Sequence, residues 1–383
     1  DAAGNFVMKP LADVQIKDGL DTIPMWVADM NFPTCPTIPQ AIIERAQHPA
    51  FGYFQPTEEY FDSIIQWHET RNGVTGLKRE HIGYENGVLG GVVSALNVLC
   101  SRGDNVLVHS PTYSGFTSCL TNAGYSIVLS PLVQDEQGIW RMDFEDMEKK
   151  IVANHIHTAL FCSPHNPTGR VWERWELEKA MEIFQRHGVY VISDEIWSDI
   201  IRPGQKHIPT QMVNSYAKEH TVALYAPSKT FNLAGLQISN IFVPNPELRK
   251  KLLKEIAAAG YSQVGLMGLV ACQAAYEEGA EWLAQLKAYL EENRKFVKAY
   301  LEEHLPEIRL IEPEGTYLLW LDFKALHLNE KELEHLIVDK AHLWLDSGAM
   351  FGPDGEGFER INIACPRATV EKALKQLEAA IRG

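Results

Sequence analysis

Two regimes of apolar and polar positions follow one another along the chain. From about Gly83, short β-branched runs bounded by Gly, Pro or Ser fill residues 105–110, 126–131, 158–163, 189–193 and 221–226, which predicts buried strands. Between some of them lie segments of helical period, such as residues 173–187, where Trp175, Ala180, Ile183 and Phe184 share one face. This alternation predicts a mostly parallel sheet covered by helices. The preceding stretch differs: Pro10, Pro24, Pro33, Pro36 and Pro39 punctuate it and predict an irregular arm, with Pro39 placed to start a helix through Ala46.

After Pro244 the period lengthens. Residues 280–304 carry Leu283, Leu286, Leu290 and Phe296 with charges between them, predicting a long helix whose acidic clusters face solvent. Residues 315–323 and 360–363 alternate as strands. Thr369 is placed to cap a last amphipathic helix with Val370, Ala373, Leu374, Leu377 and Ile381 on one side. The C-terminal third therefore reads as a smaller α+β lobe.

Composition narrows the function classes. A chain of 383 residues that is 45% hydrophobic buries a sizeable core in two or three lobes. Its formal charge of −15 argues against a nucleic-acid binder, and the nine tryptophans are scattered along the chain rather than set in a basic stretch for base stacking. No apolar run reaches the ~18 residues of a membrane span. The six cysteines are scattered without a C-x-x-C, which favours reduced thiols in a cytoplasmic protein over a disulfide frame or zinc. No leader segment is expected in a sequence that begins at Asp1 without a basic, apolar stretch. His155 and His157 alternate as a pair of ligands would, yet no third ligand can be placed, so no metal is expected.

Sheets of this kind bind ligands beyond the carboxyl ends of their strands. Four segments there carry candidate chemistry. Asn86-Gly87-Val88-Leu89-Gly90-Gly91 opens an apolar helix reaching about Cys100, and its N–H groups suit a phosphate; a plain tight turn before a core helix reads the same way. Ser163-Pro164-His165-Asn166-Pro167-Thr168-Gly169 is a rigid turn presenting Asn166, or an ordinary turn. Asp194 follows an apolar strand, as a cap or a ligand partner does. Lys229, in Tyr225-Ala226-Pro227-Ser228-Lys229-Thr230-Phe231, is either a surface lysine or a buried amine whose pKa falls until it can act as a nucleophile.

In this order the four segments resemble the fold-type I pyridoxal 5′-phosphate (PLP) enzymes of the class I/II aminotransferase superfamily. Pro111-Thr112-Tyr113 resembles that family's ring-stacking aromatic. In Ile361-Asn362-Ile363-Ala364-Cys365-Pro366-Arg367, the arginine resembles its substrate-carboxylate clamp. The resemblance covers nearly the whole chain and implies the PLP-transferase-like α/β fold. It implies a large domain at 50–262, and a small one from 1–49 and 263–383 that includes the N-terminal arm.

The resemblance also implies roles. Lys229 would bond the cofactor's aldehyde carbon and take the substrate's Cα proton. Asp194 would pair with the ring nitrogen, Asn166 would bond the ring hydroxyl, and Tyr113 would stack with its OH near the leaving group. Gly87, Val88, Leu89 and Ser228 would meet the phosphate, and Arg367 would grip the substrate carboxylate. Tyr53 would cross a homodimer interface to the neighbouring site.

Within the superfamily, Gln237 stands where transaminases commonly carry a phosphate-binding arginine. Residues 229–237, 24–32, 350–352 and 360–367 are instead similar to the MalY/PatB branch of cystathionine β-lyases and cysteine-S-conjugate β-lyases. That implies α,β-elimination of an amino-acid thioether to thiol, pyruvate and ammonia. A transaminase, or a PLP-retaining protein that works by binding a partner, are the alternatives. Two positions depart from the pattern. Asn31 replaces an Asp, and Trp197 replaces a ring-bonding Tyr; since indole cannot accept that bond, Trp197 is expected beside the substrate's tail.

Overall fold

The structure, a computed structural model, describes residues 22–260 and 263–383. Pro10 and the arm up to residue 21 lie outside the described residues, as does the expected domain boundary at residue 262.

The first described strand, β1 (Ile23–Pro24), precedes a main sheet built from β2 (Ile82–Asn86), β3 (Asn105–Ser110), β4 (Ser126–Gln134), β5 (Trp140–Met142), β6 (Thr158–Cys162), β7 (Tyr190–Asp194), β8 (Thr221–Tyr225) and β9 (Ile238–Phe242). Their spatial order is β2-β9-β8-β7-β6-β3-β4-β5. The centre is parallel, from β4 through β3, β6 and β7 to β8. Antiparallel strands close both ends: β9 against β8, β2 against β9, and β5 against β4. Every position of β6, β8 and β9 is buried, which is why β6 and β8 are almost wholly apolar rather than alternating, while β9 buries Ser239 and Asn240 among its apolar residues.

The five expected central strands are all present, β3 at its predicted bounds and β4 three residues longer than expected. β7 runs to Asp194, so the aspartate closes the strand instead of following it. β2, β9 and the helix Glu58–Asn72 form where the pattern gave no element. Two short helices of the arm and lobe begin earlier than expected, each for a reason tied to proline. The helix Thr37–Gln47 starts two residues before Pro39, which sits in its first turn, where the missing N–H has no partner to lose. The last helix is Arg367–Arg382; Pro366 precedes it at φ −53 and makes no side-chain cap, so Thr369 lies inside the first turn and is not the cap.

The second lobe holds a sheet of β10 (Arg309–Ile311), β11 (Leu318–Asp322), β13 (Asp346–Ser347) and β14 (Phe358–Asn362) in the order β10-β11-β14-β13. The long helix Ala280–His304 occupies its predicted bounds and buries Leu283, Leu286, Leu290 and Val297. β12 (Leu343–Trp344) pairs in parallel with β1, which fastens the segment after residue 22 to the C-terminal lobe. Backbone bonds from Asn362 N to Met25 O and from Asn31 N to Ala364 O extend that attachment. Residues 22–31 and the C-terminal lobe thus meet over the carboxyl edge of the main sheet.

Among the described residues no helix is long and apolar enough to cross a membrane, and no group of three or more His, Cys, Asp or Glu is arranged to hold a metal ion. All six cysteines are free.

Candidate active site

Register brings the candidate residues together. Asp194 pairs with Cys162 of β6 and Leu224 of β8, so three strands end at one level. The turn carrying Asn166 leaves β6 there, and the short helix Ser228–Phe231 carrying Lys229 follows β8. All three side chains line a cavity of about 800 Å³ between the main sheet and the second lobe.

Lys229 Nζ donates to the main-chain oxygen of Ala28 at 2.8 Å. Burial draws its amine below the usual lysine range; Asp29 opposes that shift, Arg360 adds to it and Asp194 opposes it. Asp194 is 5% exposed and accepts one hydrogen bond, from Ile196 N at 3.0 Å. Burial pushes it up to about 7, the Ile196 bond pulls the other way, and the neighbouring Glu195 charge raises it further. Its second oxygen has no partner among the described residues.

Behind Asp194 the sheet is braced by polar contacts. Glu195, fully buried, accepts from His207 Nε2 at 2.7 Å, Tyr225 OH at 2.6 Å, and Ser193 Oγ and Thr210 N at 3.0 Å each. Burial alone would raise Glu195; the His207 and Tyr225 partners outweigh it and hold the carboxyl below its usual value.

Gly87, Val88 and Leu89 start the thirteen-residue helix Gly87–Leu99 in the cavity wall, and Asn86 supplies no side-chain cap to their N–H groups. Gly87 is required there on two counts: its φ is +75, and a Cβ would stand 3.3 Å from Gln237 Oε1. Ser228 and Gln237 line the same end. Tyr113 lies in the wall between Asn166 and Asp194; burial raises its phenol and the Asp194 charge adds to that, so it stays a neutral donor.

The arginine assignment changes. Arg367 does not line the cavity; its Nε donates to Asn293 Oδ1 at 2.9 Å and its guanidinium lies 4.6 Å from the Phe296 ring centre. It opens the last helix, where Asn293 and Phe296 hold its side chain. Arg360, on β14, is the arginine in the cavity: 4% exposed, it donates to Asn166 Oδ1 and to Trp26 O at 3.0 Å each, and pairs with Asp346. Period-two alternation along residues 360–363 is the signal that finds it, because β14 turns Arg360 inward.

Asn31 is also outside the cavity, exposed, with only its backbone engaged. Tyr53 is fully exposed on residues 48–57, a stretch without helix or strand. Trp197 is 3% exposed in the cavity wall, edge-on to Tyr317 with ring centres 4.8 Å apart. Tyr317 and the main-chain oxygens of Trp26 and Ala28 complete the site without having been expected. Carbonyls leave no mark in a side-chain pattern.

The residues present fit PLP. An Asp with an unpartnered oxygen suits a cationic ring N–H; uncapped helix-start amides, with Ser228, suit a phosphate; and the Asn166 amide nitrogen, without a partner among the described residues, suits a ring hydroxyl. Lys229 in the same cavity is the amine that could bond an aldehyde.

Comparison with known proteins agrees with that donor set. The model of the family "Aminotransferase class I and II" matches residues 21–377. The cystathionine β-lyase PatB of Bacillus subtilis is 37% identical over 361 residues, covering 94% of this chain and 93% of its own. A PLP-bound structure from Clostridium difficile 630, given an aminotransferase assignment, superposes with a TM-score of 0.91 at 38% identity, over 94% of this chain and 92% of its own. The PLP-bound C–S lyase of Staphylococcus hominis does so with a TM-score of 0.89 at 32% identity, over 99% and 97%.

Proposed function

The chain belongs to the aminotransferase class I and II family, and from that premise we propose that it is a PLP-dependent carbon–sulfur β-lyase that cleaves cystathionine or cysteine S-conjugates. The observation that carries this reading is the whole-length likeness to a cystathionine β-lyase and a C–S lyase, in a chain whose cavity holds Lys229, Asp194 and Asn166. The reaction is R–S–CH2–CH(NH3+)–COO− + H2O → R–SH + pyruvate + NH4+.

Bound PLP supplies an aldehyde carbon that takes the substrate's amine and a cationic ring that draws electron density from Cα. The protein does the rest. Arg360 fixes the substrate carboxylate with its planar fork, in place of Arg367. Lys229, its amine drawn below the usual lysine range by burial, removes the Cα proton from one side of the cavity. Asp194 holds a positive ring nitrogen through its free oxygen, Asn166 orients the ring, and Gly87, Val88, Leu89 and Ser228 hold the phosphate. Tyr113, kept neutral, or the newly charged Lys229 donates a proton to the departing thiolate. Trp197 and Tyr317 exclude water beside the tail.

A homodimer is part of this reading: Phe51 and Tyr53 stand exposed on an extended stretch suited to reach a second copy's phosphate end. So is a cytoplasmic location, which suits six free thiols.

The deciding experiment incubates the PLP-loaded protein with cystathionine, and separately with an amino acid plus 2-oxoglutarate. Thiol and pyruvate from the first support the lyase. Glutamate from the second, with neither thiol nor pyruvate from the first, makes the protein a transaminase, the reading favoured by the Clostridium difficile likeness. Intact cofactor absorbance with negligible turnover of either makes it a partner-binding protein.

A further inference from the structure

One corner of the cavity has chemistry that the reaction does not use. β13 and β14 place Ser347 opposite Glu359, on the sheet face turned away from Arg360. Glu330 and Glu334, with the single π-helical stretch His335–Lys340, cover that face; Ile337 and Val338 of the π stretch join Glu334 and Glu359 in the cavity wall.

The acids there are not equivalent. Asp346 is paired with Arg360. Glu330 accepts from Gly357 N at 2.8 Å and from Ser347 Oγ at 3.3 Å. Glu359 is 3% exposed, lines the cavity, and has no hydrogen-bond or ion-pair partner among the described residues. A carboxyl buried in that way is costly unless something meets it. Glu334, at the exposed rim of the same corner, is also without a partner among the described residues. The cavity's two cations are committed elsewhere: Lys229 bonds Ala28, and Arg360 faces Asn166 and Asp346. The same cavity wall includes the apolar side chains of Trp344, Leu345 and Val338.

We propose that Glu359 and Glu334 form a subsite for an ammonium-bearing tail on the substrate's sulfur, reached by a short apolar linker. The inference rests on the lyase reading and adds the substrate class: S-aminoalkyl cysteines and related thioethers with a positive tail are selected, and tails ending in a lone carboxylate are rejected. Burial lifts Glu359 well above its usual range, and the Glu330, Asp346 and Glu334 charges add to this. An arriving ammonium counters those charges and lets the carboxyl ionise, releasing its proton to solvent, and a hydrogen bond to an ionised group in such a site is worth about a tenfold change in affinity or more.

The test uses three thioethers of matched length: S-(2-aminoethyl)-L-cysteine, S-propyl-L-cysteine and S-(2-carboxyethyl)-L-cysteine. Calorimetric binding to PLP-loaded Lys229→Ala protein reads the preference without bond cleavage. The aminoethyl compound is expected to bind at least about tenfold more tightly than the propyl one, and the carboxyethyl compound weakest. Adding Glu359→Gln brings the first ratio below about threefold, and Glu334→Gln, at an exposed position that does not threaten folding, lowers it by a smaller factor. Equal binding of the aminoethyl and propyl compounds, or a ratio untouched by Glu359→Gln, overturns the subsite. If the unmodified enzyme releases no thiol from any of the three, the lyase reading falls, while the binding order still decides the subsite.

Discussion

Lys229 and Tyr317 donate to the same atom, the main-chain oxygen of Ala28, at 2.8 and 2.7 Å. A carbonyl with two lone pairs accepts both, so the Lys229 amine rests beside a fixed phenol when it is not bonded elsewhere. Tyr317→Phe keeps the ring against Trp197 and removes one donor, while the carbonyl retains Lys229. The expected cost is about 1 kcal/mol in urea unfolding of the cofactor-free protein. A variant as stable as its parent would show that the hydroxyl contributes nothing.

Asp194 links the site to pH. In the folded protein it titrates at about 7, whereas an unfolded Asp titrates near 4. Between those values the folded chain keeps a proton that the unfolded chain has released, so stability falls as pH rises through the window. The contribution lost is on the order of 4 kcal/mol for a shift of this size. Urea curves of the cofactor-free protein at about pH 5 and about pH 8 should show this fall, and Asp194→Asn should lack it. Saturating PLP should flatten it too, because a cationic ring nitrogen then meets the carboxylate.

The two arginines separate cleanly by kinetics. Arg360→Lys preserves the charge beside Asp346 and loses the planar fork, so KM for cystathionine should rise by about tenfold or more. Arg367→Ala removes a side chain that touches Asn293 and Phe296, outside the cavity, and should leave KM within about threefold of the parent. The reverse pattern would restore Arg367 as the carboxylate clamp.

His207 Nε2 and Glu195 meet in a buried hydrogen bond of 2.7 Å one residue from Asp194. His207→Ala leaves the Glu195 carboxylate facing Tyr225 and Thr210 without that partner, and stability should drop by about 1–3 kcal/mol. Glu195→Gln removes the charge that raises Asp194 and should move the pH window of the preceding experiment downward. An unchanged window would mean that burial alone sets Asp194.

The legible parts of the site were those that follow fully buried strands. Asn166, Asp194 and Lys229 stand at the ends of β6, β7 and β8, whose apolar runs declare them. β2 and β9 carry no such run, because in the one Gly83, Glu85 and Asn86 interrupt Ile82 and Tyr84, and in the other Ser239 and Asn240 interrupt the apolar residues. The arginine was misplaced for a different reason: both candidates share one motif, and only strand alternation, settled by pairing with β11, decides which of them turns inward. Ala28, Trp26 and Tyr317 belong to segments far apart in sequence, and no local pattern could join them.

Arg360 reaches back across 334 positions to Trp26, and Lys229 across 201 to Ala28. During synthesis the large sheet can close once β9 has emerged, yet the clamp arrives only with β14, almost at the end of the chain. A ribosome-bound intermediate can therefore own the lysine, the aspartate and the helix-start amides while lacking the group that selects amino acids. With Arg360 as the carboxylate clamp proposed above, competence for the cofactor can precede competence for the substrate.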